Sequence, residues 1–205
     1  MKRCVIVGGA PITNYEFIKK HFDEKDFFIY CDSGLMHRDG FNKKADLIVG
    51  DFDSYKNPLE ETETIVLPCE KDDTDTFFAV KEAIKRGFDS FVIVGAMGGR
   101  FDHTLSNVAI LSYLFNRGLD GIVLDDNSET SVITKASVKK TEGTRYFSLL
   151  PLNESVEGVT IKNAKYPLSD AEILQEYPFS VSNEVTDSDV EITVKKGRML
   201  LVKIY

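Results

Sequence analysis

Short apolar runs recur along the N-terminal part of the chain, at residues 4–7, 27–31, 47–49, 64–67, 91–94 and 122–124. Their residues are apolar in succession rather than in alternation, which is the pattern of strands covered on both faces. Between them lie stretches with helical spacing. Phe77, Val80 and Ile84 share one face of a helix predicted from Thr74 to Arg86, with Glu82 and Arg86 as an exposed i,i+4 pair and Gly87 placed to end it. Leu105, Val108, Leu111 and Phe115 mark a second helix from Asp102 towards Gly118. Acidic residues stand at both helix starts, where the helix dipole favours them. Strands alternating with helices predict an α/β unit, a mostly parallel sheet flanked by helices.

The texture changes after Asn127. Runs at 131–134, 144–150, 156–161, 180–185 and 190–194 alternate apolar with polar and are separated by turn residues. Lys195-Lys196-Gly197-Arg198 reads as a hairpin turn into a final strand at 199–204. The expected organisation is an α/β domain over residues 1–127 followed by a smaller all-β sandwich over 128–205.

Composition narrows the setting. With 205 residues, 42% of them apolar, the chain can bury one substantial core and a second, smaller one. No apolar run approaches the roughly 20 residues that cross a bilayer, so no membrane span is expected. The start Met-Lys-Arg leads straight into the first apolar run without the form of a signal peptide, which predicts a cytoplasmic protein. Cys4, Cys31 and Cys69 are odd in number and lack Cys-x-x-Cys spacing, as expected of reduced structural thiols. A net charge of −8 argues against a nucleic-acid surface, because phosphates are neutralised by clustered Lys and Arg. A polyanionic ligand would therefore need metal ions as mediators.

The aspartates carry the most information. Asp32, Asp51, Asp53, the group Asp72, Asp73 and Asp75, and Asp102 each follow an apolar run within a few residues. A single Asp is explained by a turn or a helix cap. If the runs are parallel strands, however, all of these carboxylates gather at the carboxyl edge of one sheet, where open α/β folds bind ligands. Gly50-Asp51-Phe52-Asp53-Ser54, read as an extended segment, points two carboxylates one way and Phe52 the other. Such a pair suits Mg2+, which takes oxygen ligands from one or two carboxylates and from substrate phosphates. Lys71-Asp72-Asp73-Thr74-Asp75 opens a helix and holds more charge than a cap requires. Gly95-Ala96-Met97-Gly98-Gly99-Arg100-Phe101-Asp102-His103 is a glycine-rich strand-to-helix connection. It offers close backbone approach, a guanidinium fork for phosphate and a histidine at the helix start. It carries neither a Walker A lysine nor a dinucleotide fingerprint. No role is assigned to His21 or His37.

In this order and ahead of a β-rich C-terminal part, these three motifs resemble the thiamine pyrophosphokinase family over nearly the whole chain. Ser180-Val181-Ser182-Asn183-Glu184 resembles the Ser-Asn segment of the family's C-terminal domain. The resemblance implies an enzyme that transfers a diphosphoryl group from ATP to the hydroxyl of thiamine, giving thiamine diphosphate and AMP. It also implies a homodimer with the active site at the subunit interface, and Mg2+ held by Asp51, Asp53 and Asp75. Asp32, Lys71, Asp72, Arg100 and Asp102 would contact nucleotide or thiamine, as would Ser54, Thr74, His103, Ser182 and Asn183. Asp75 or Asp102 would accept the proton of the thiamine hydroxyl. Two departures stand out: Cys31-Asp32-Ser33-Gly34 is less glycine-rich than the family's common version, and without any Trp a ring stacked on thiamine would be Tyr or Phe. The alternatives are a diphosphokinase for another alcohol such as a hydroxymethylpterin, a catalytically silent thiamine or nucleotide sensor, and an α/β domain whose acidic turns do no chemistry.

Overall fold

A computed structural model describes residues 1–52, 62–68, 70 and 72–205. The chain forms two compact units, Met1–Asp126 and Asn127–Tyr205.

In the first unit, β1 (Arg3–Val7), β2 (Phe27–Cys31), β3 (Leu47–Gly50), β4 (Thr64–Val66), β5 (Ser90–Val94) and β6 (Asp120–Leu124) all pair in parallel. Their order is β6-β5-β1-β2-β3-β4. The last four residues of β1, β2 and β5 and all of β3 are buried, as successive apolar residues require when both faces of a sheet are covered. From β1 the chain winds outward to β4, then crosses back to place β5 on the other side of β1. The strand order reverses between β1 and β5, the place where open α/β sheets form a crevice at their carboxyl edge.

Among the described residues four helices accompany these strands: α1 (Tyr15–Lys19), α2 (Arg38–Phe41), α3 (Asp75–Lys85) and α4 (Phe101–Phe115). Thr74 is the N-cap of α3, its hydroxyl accepting the Phe77 N–H at 3.2 Å. The helix buries Ala79, Val80 and Ala83, while Phe77 meets Tyr113 of α4 edge to face. Arg86 bonds Glu82 as the spacing predicts, but it also reaches Glu63 with both terminal nitrogens, and the pair is half-buried rather than exposed. α4 begins at Phe101, one residue early, and buries Asn107, Ile110, Leu111 and Leu114, leaving Leu105 exposed. Two short helices and the 3-10 turn Asp32–His37 have no counterpart in the sequence reading, being too brief to show a period.

The second unit holds β7 (Ser128–Ile133), β8 (Lys135–Val138), β9 (Tyr146–Pro151), β10 (Ser155–Lys162), β11 (Leu168–Leu174), β12 (Asn183–Glu184), β13 (Val190–Thr193) and β14 (Met199–Ile204). They form antiparallel sets in the orders β12-β9-β14-β7 and β11-β10-β13-β8. Phe147, Leu149, Met199 and Leu201 of the first set share one core with Val156, Ile161, Ile173 and Ile192 of the second, the packing of a sandwich. The segment 195–198 is not a hairpin turn. β13 pairs only within its own set and β14 only within the other, so the chain crosses between sheets there. The Glu157 backbone draws it aside, its carbonyl accepting both Lys195 and Lys196 N–H, and Gly197 supplies the left-handed turn at φ 91°. The strand expected at 180–185 shrinks to two residues because Ser182 takes φ 58°. Among the described residues no helix is long and apolar enough to cross a membrane.

Candidate active site

The carboxyl ends of the parallel strands and the loops that follow them line a cavity of about 500 Å³. Residues 8–11 come from the end of β1, Asp32 and Ser33 from β2, and Asp51 from β3. Thr74, Asp75 and Thr76 come from the start of α3, and Gly95, Ala96, Gly98, Gly99, Arg100, His103 and Asn107 from the β5–α4 connection. The loops after β1 and β5 touch: the Ala10 N–H donates to the Gly95 carbonyl at 2.8 Å. Gly95 has φ 60°, and a side chain there would overlap the Gly8 carbonyl oxygen, so only glycine fits.

Among the described residues three carboxylates, those of Asp32, Asp51 and Asp75, belong to the lining of this space. Asp32 is buried and holds a left-handed backbone at φ 42°, while Gly50 passes close enough that an added Cβ would lie 3.1 Å from the Asp32 Cα. Asp75 is the first residue of α3, where the helix dipole favours its charge. The Oδ1 atoms of Asp32 and Asp75 are shielded from solvent. Between them the Cys31 thiol points at the Asp75 carbonyl, 3.7 Å away. Burial first, then the neighbouring Asp75, pushes that thiol's pKa well up, so it stays protonated and inert. Asp51 is half-buried at the end of β3. The backbone beyond it is not extended as expected: Phe52 sits at φ 58° and packs on the core cluster that includes Tyr30 and Ile48. Asp53, Ser54 and Lys71 lie outside the described residues. Among the described residues no three Asp, Glu, His or Cys side chains assemble into a metal-sized group.

Arg100 and His103 line the cavity from the β5 side. The Arg100 guanidinium grips Asp102 with Nε at 3.2 Å and Nη2 at 2.6 Å, both side chains being exposed. That hydrogen bond from Arg100 is the main reason the Asp102 carboxyl is held down at about 2. Asp102 and Asp72 are both exposed, and neither lines the cavity. Ser182 and Asn183 belong to the second unit. Ser182 is exposed and its N–H donates to the Ser148 hydroxyl at 3.0 Å. Asn183 is buried, and its side-chain amide is engaged by backbone: Nδ2 donates to the Tyr166 carbonyl at 2.7 Å, and Oδ1 accepts the N–H of Tyr166 at 3.0 Å and of Glu184 at 2.9 Å.

Several wall residues escaped the sequence reading. Residues 8–11 follow the first apolar run directly, so the strand-end logic applied to the aspartates reaches Gly8-Gly9 as well. Asn107 is buried mid-helix and donates to the Ala96 carbonyl at 2.8 Å, a contact with no sequence signal. His37, read as unremarkable, is buried behind the loop after β1.

Two family models match the chain: "Thiamin pyrophosphokinase, catalytic domain" over residues 18–122 and "Thiamin pyrophosphokinase, vitamin B1 binding domain" over residues 135–199. The chain is 26% identical to "Thiamine pyrophosphokinase" of Bacillus subtilis, with 99% of both sequences covered. It is 23% identical to "Thiamin pyrophosphokinase 1" of Caenorhabditis elegans, over 91% of this chain and 83% of that protein. The crystal structure of thiamine pyrophosphokinase from Bacillus subtilis superposes with a TM-score of 0.89 at 24% identity, covering 99% of each chain, and so shares the fold. With its catalytic-domain match spanning half of the chain and the strand-end cavity inside that same unit, the protein belongs to the thiamin pyrophosphokinase family.

Proposed function

We propose that this enzyme transfers a diphosphoryl group from ATP to the hydroxyl of thiamine, giving thiamine diphosphate and AMP. The observation that carries the reading is the cavity at the sheet's switch point, walled by Asp32, Asp51 and Asp75 on one side and by Arg100 and a glycine-rich loop on the other. Acidic walls repel a triphosphate unless cations intervene, and they suit thiamine, whose thiazolium ring is cationic. The donor set fits Mg2+: Asp51 and Asp75 are hard oxygen ligands on one cavity, and Asp53 follows two residues after Asp51 in the sequence. Asp51, Asp53 and Asp75 would hold the ion, which when bound neutralises phosphate charge and orients the transferred group.

The chain's own side chains do the rest by position and charge. Arg100 leaves Asp102 to fork onto phosphate oxygens, assisted by Lys71, Thr74, His103 and Ser54, while Asp32 and Asp72 contact the substrates. The thiamine oxygen attacks the β-phosphorus, the bond to the α-phosphate bridge breaks, and AMP leaves. Asp75 lines the cavity whereas Asp102 is exposed outside its lining, so the role of proton acceptor falls to Asp75. Ser182 contacts thiamine, and Asn183, committed to the Tyr166 backbone, holds that segment in shape.

We also propose a cytoplasmic homodimer with the site at the subunit interface. Exposed Tyr146, Tyr166, Phe179 and Val181 in the second unit give a surface to cover, and the buried free thiols Cys4 and Cys31 suit a reducing compartment. A panel of alcohols offered with ATP and Mg2+ tests the substrate: thiamine alone should be turned over. Turnover of a hydroxymethylpterin in its place overturns the reading, and thiamine binding with ATP left intact makes the protein a sensor.

A further inference from the structure

Residues 8–11 line the cavity, and Ala10 is held on two sides, its N–H by the Gly95 carbonyl at 2.8 Å and its carbonyl by a residue behind the loop. The Ala10 carbonyl accepts a hydrogen bond from His37 at 2.9 Å. A carbonyl oxygen only accepts, so His37 Nε2 carries the hydrogen, and in the neutral ring Nδ1 is the acceptor for the Tyr15 hydroxyl at 2.8 Å. His37 is buried, with its ring against those of Tyr15 and Phe41. Burial lowers the His37 pKa and raises that of Tyr15, so each keeps the protonation state the relay needs. The charged group facing both is Asp126, which accepts the N–H of Thr13 and of Asn14 at 2.9 Å and so pins the far end of the loop.

We propose that His37 is a positioning residue of the nucleotide cavity: through Nε2 it holds the Ala10 carbonyl, and with it residues 8–11, in the conformation that receives ATP, while Tyr15 holds the ring in register. The inference rests on the cavity being the ATP site. The loop precedes the segment matched by the catalytic-domain model, and the side chain that holds its Ala10 carbonyl is His37, which does not line the cavity. A buried histidine with two directed bonds and no contact of its own with the cavity acts through the backbone it holds.

The test combines ATP titration with steady-state kinetics for His37→Leu, His37→Gln and Tyr15→Phe. Leu keeps the volume and loses both bonds, whereas Gln can still donate to Ala10 and accept from Tyr15. His37→Leu should raise the ATP dissociation constant and KM roughly tenfold, the worth of one good hydrogen bond, with Tyr15→Phe about threefold and His37→Gln close to the parent. At saturating ATP, kcat should stay within about twofold, because a displaced wall weakens binding rather than chemistry. An unchanged ATP constant, with kcat falling in step with the folded fraction seen by near-ultraviolet circular dichroism, overturns the proposal. Equal losses in Leu and Gln overturn it too. Should His37→Leu not fold, Tyr15→Phe with unaltered ATP affinity is the contradicting result. A parent chain that binds no ATP overturns the nucleotide reading itself, a failure distinct from variants that bind as the parent does.

Discussion

Asp32, Phe52 and Ser182 hold backbone conformations that side-chain-bearing residues rarely adopt, at φ of 42°, 58° and 58°. Each stands at or beside a position assigned to the site. Strain of this kind costs about 1–3 kcal/mol per residue and survives where surrounding packing over-determines it. Here Gly50 closes against Asp32, and Phe52 is seated on the core. Asp32 is thereby fixed at the cavity wall, beside the carboxylates of Asp51 and Asp75. Asp51→Asn and Asp75→Asn should each lower kcat by roughly a hundredfold or more, with melting temperatures close to the parent's, since both side chains face the cavity. Asp102→Asn should cost far less, because the residue is exposed and serves Arg100. Asn183→Ala should instead lower stability by about 1–3 kcal/mol in urea denaturation, leaving the Tyr166 backbone without its partners. Asp32, Asp51 and Asp75 are legible as cavity residues because each lies within a few residues of an apolar run, but the same signal also marks Asp72 and Asp102, which do not line the cavity. His37 and Asn107 were not, because a buried polar side chain tied to backbone looks like any surface residue in one dimension.

The buried parallel strands and the long helices α3 and α4 show in the sequence as apolar runs or helical periods, whereas the short helices do not, and β8 and the seven-residue β11 lie outside the expected runs. The six parallel strands and α3 and α4 follow from runs of apolar residues and from helical spacing. α1, α2 and the 3-10 turn over Asp32–His37 are held by tertiary contacts, among them the Tyr15 and Phe41 rings, rather than by their own pattern. In the second unit the error at 195–198 has the same origin. Lys-Gly-Arg chemistry marks a turn but not which strands it joins, and Glu157, 39 residues before Lys196, decides that. Two substitutions test the strand-end architecture. Thr74→Ala removes the α3 cap and should cost about 1 kcal/mol by chemical denaturation. Gly95→Ala must adopt a disfavoured φ and displace the Gly8 carbonyl, and should cost more than 1 kcal/mol while weakening ATP binding.

At the scale of the molecule, charge and burial predict how stability follows pH. His37 is the buried base: its pKa is lowered from 6.5, so the unfolded chain binds a proton that the folded chain resists. Stability is therefore complete above about 6.5 and declines as pH falls below it, with Tyr15 and Asp126 the groups that face the ring. Urea midpoints measured from pH 7.5 to 5.5 should fall for the parent and fall less for His37→Gln. Sedimentation velocity should give a dimer, and a Phe179→Asp variant should shift it towards monomer if the exposed aromatic surface is the one covered. The central claim concerns which bond of ATP is broken, and the products answer it directly. Purified protein with Mg2+, ATP and thiamine should yield AMP and thiamine diphosphate in equal amounts, formed roughly a hundredfold more slowly or slower still by Asp51→Asn. ADP together with thiamine monophosphate would mean attack at the terminal phosphorus and would contradict the account.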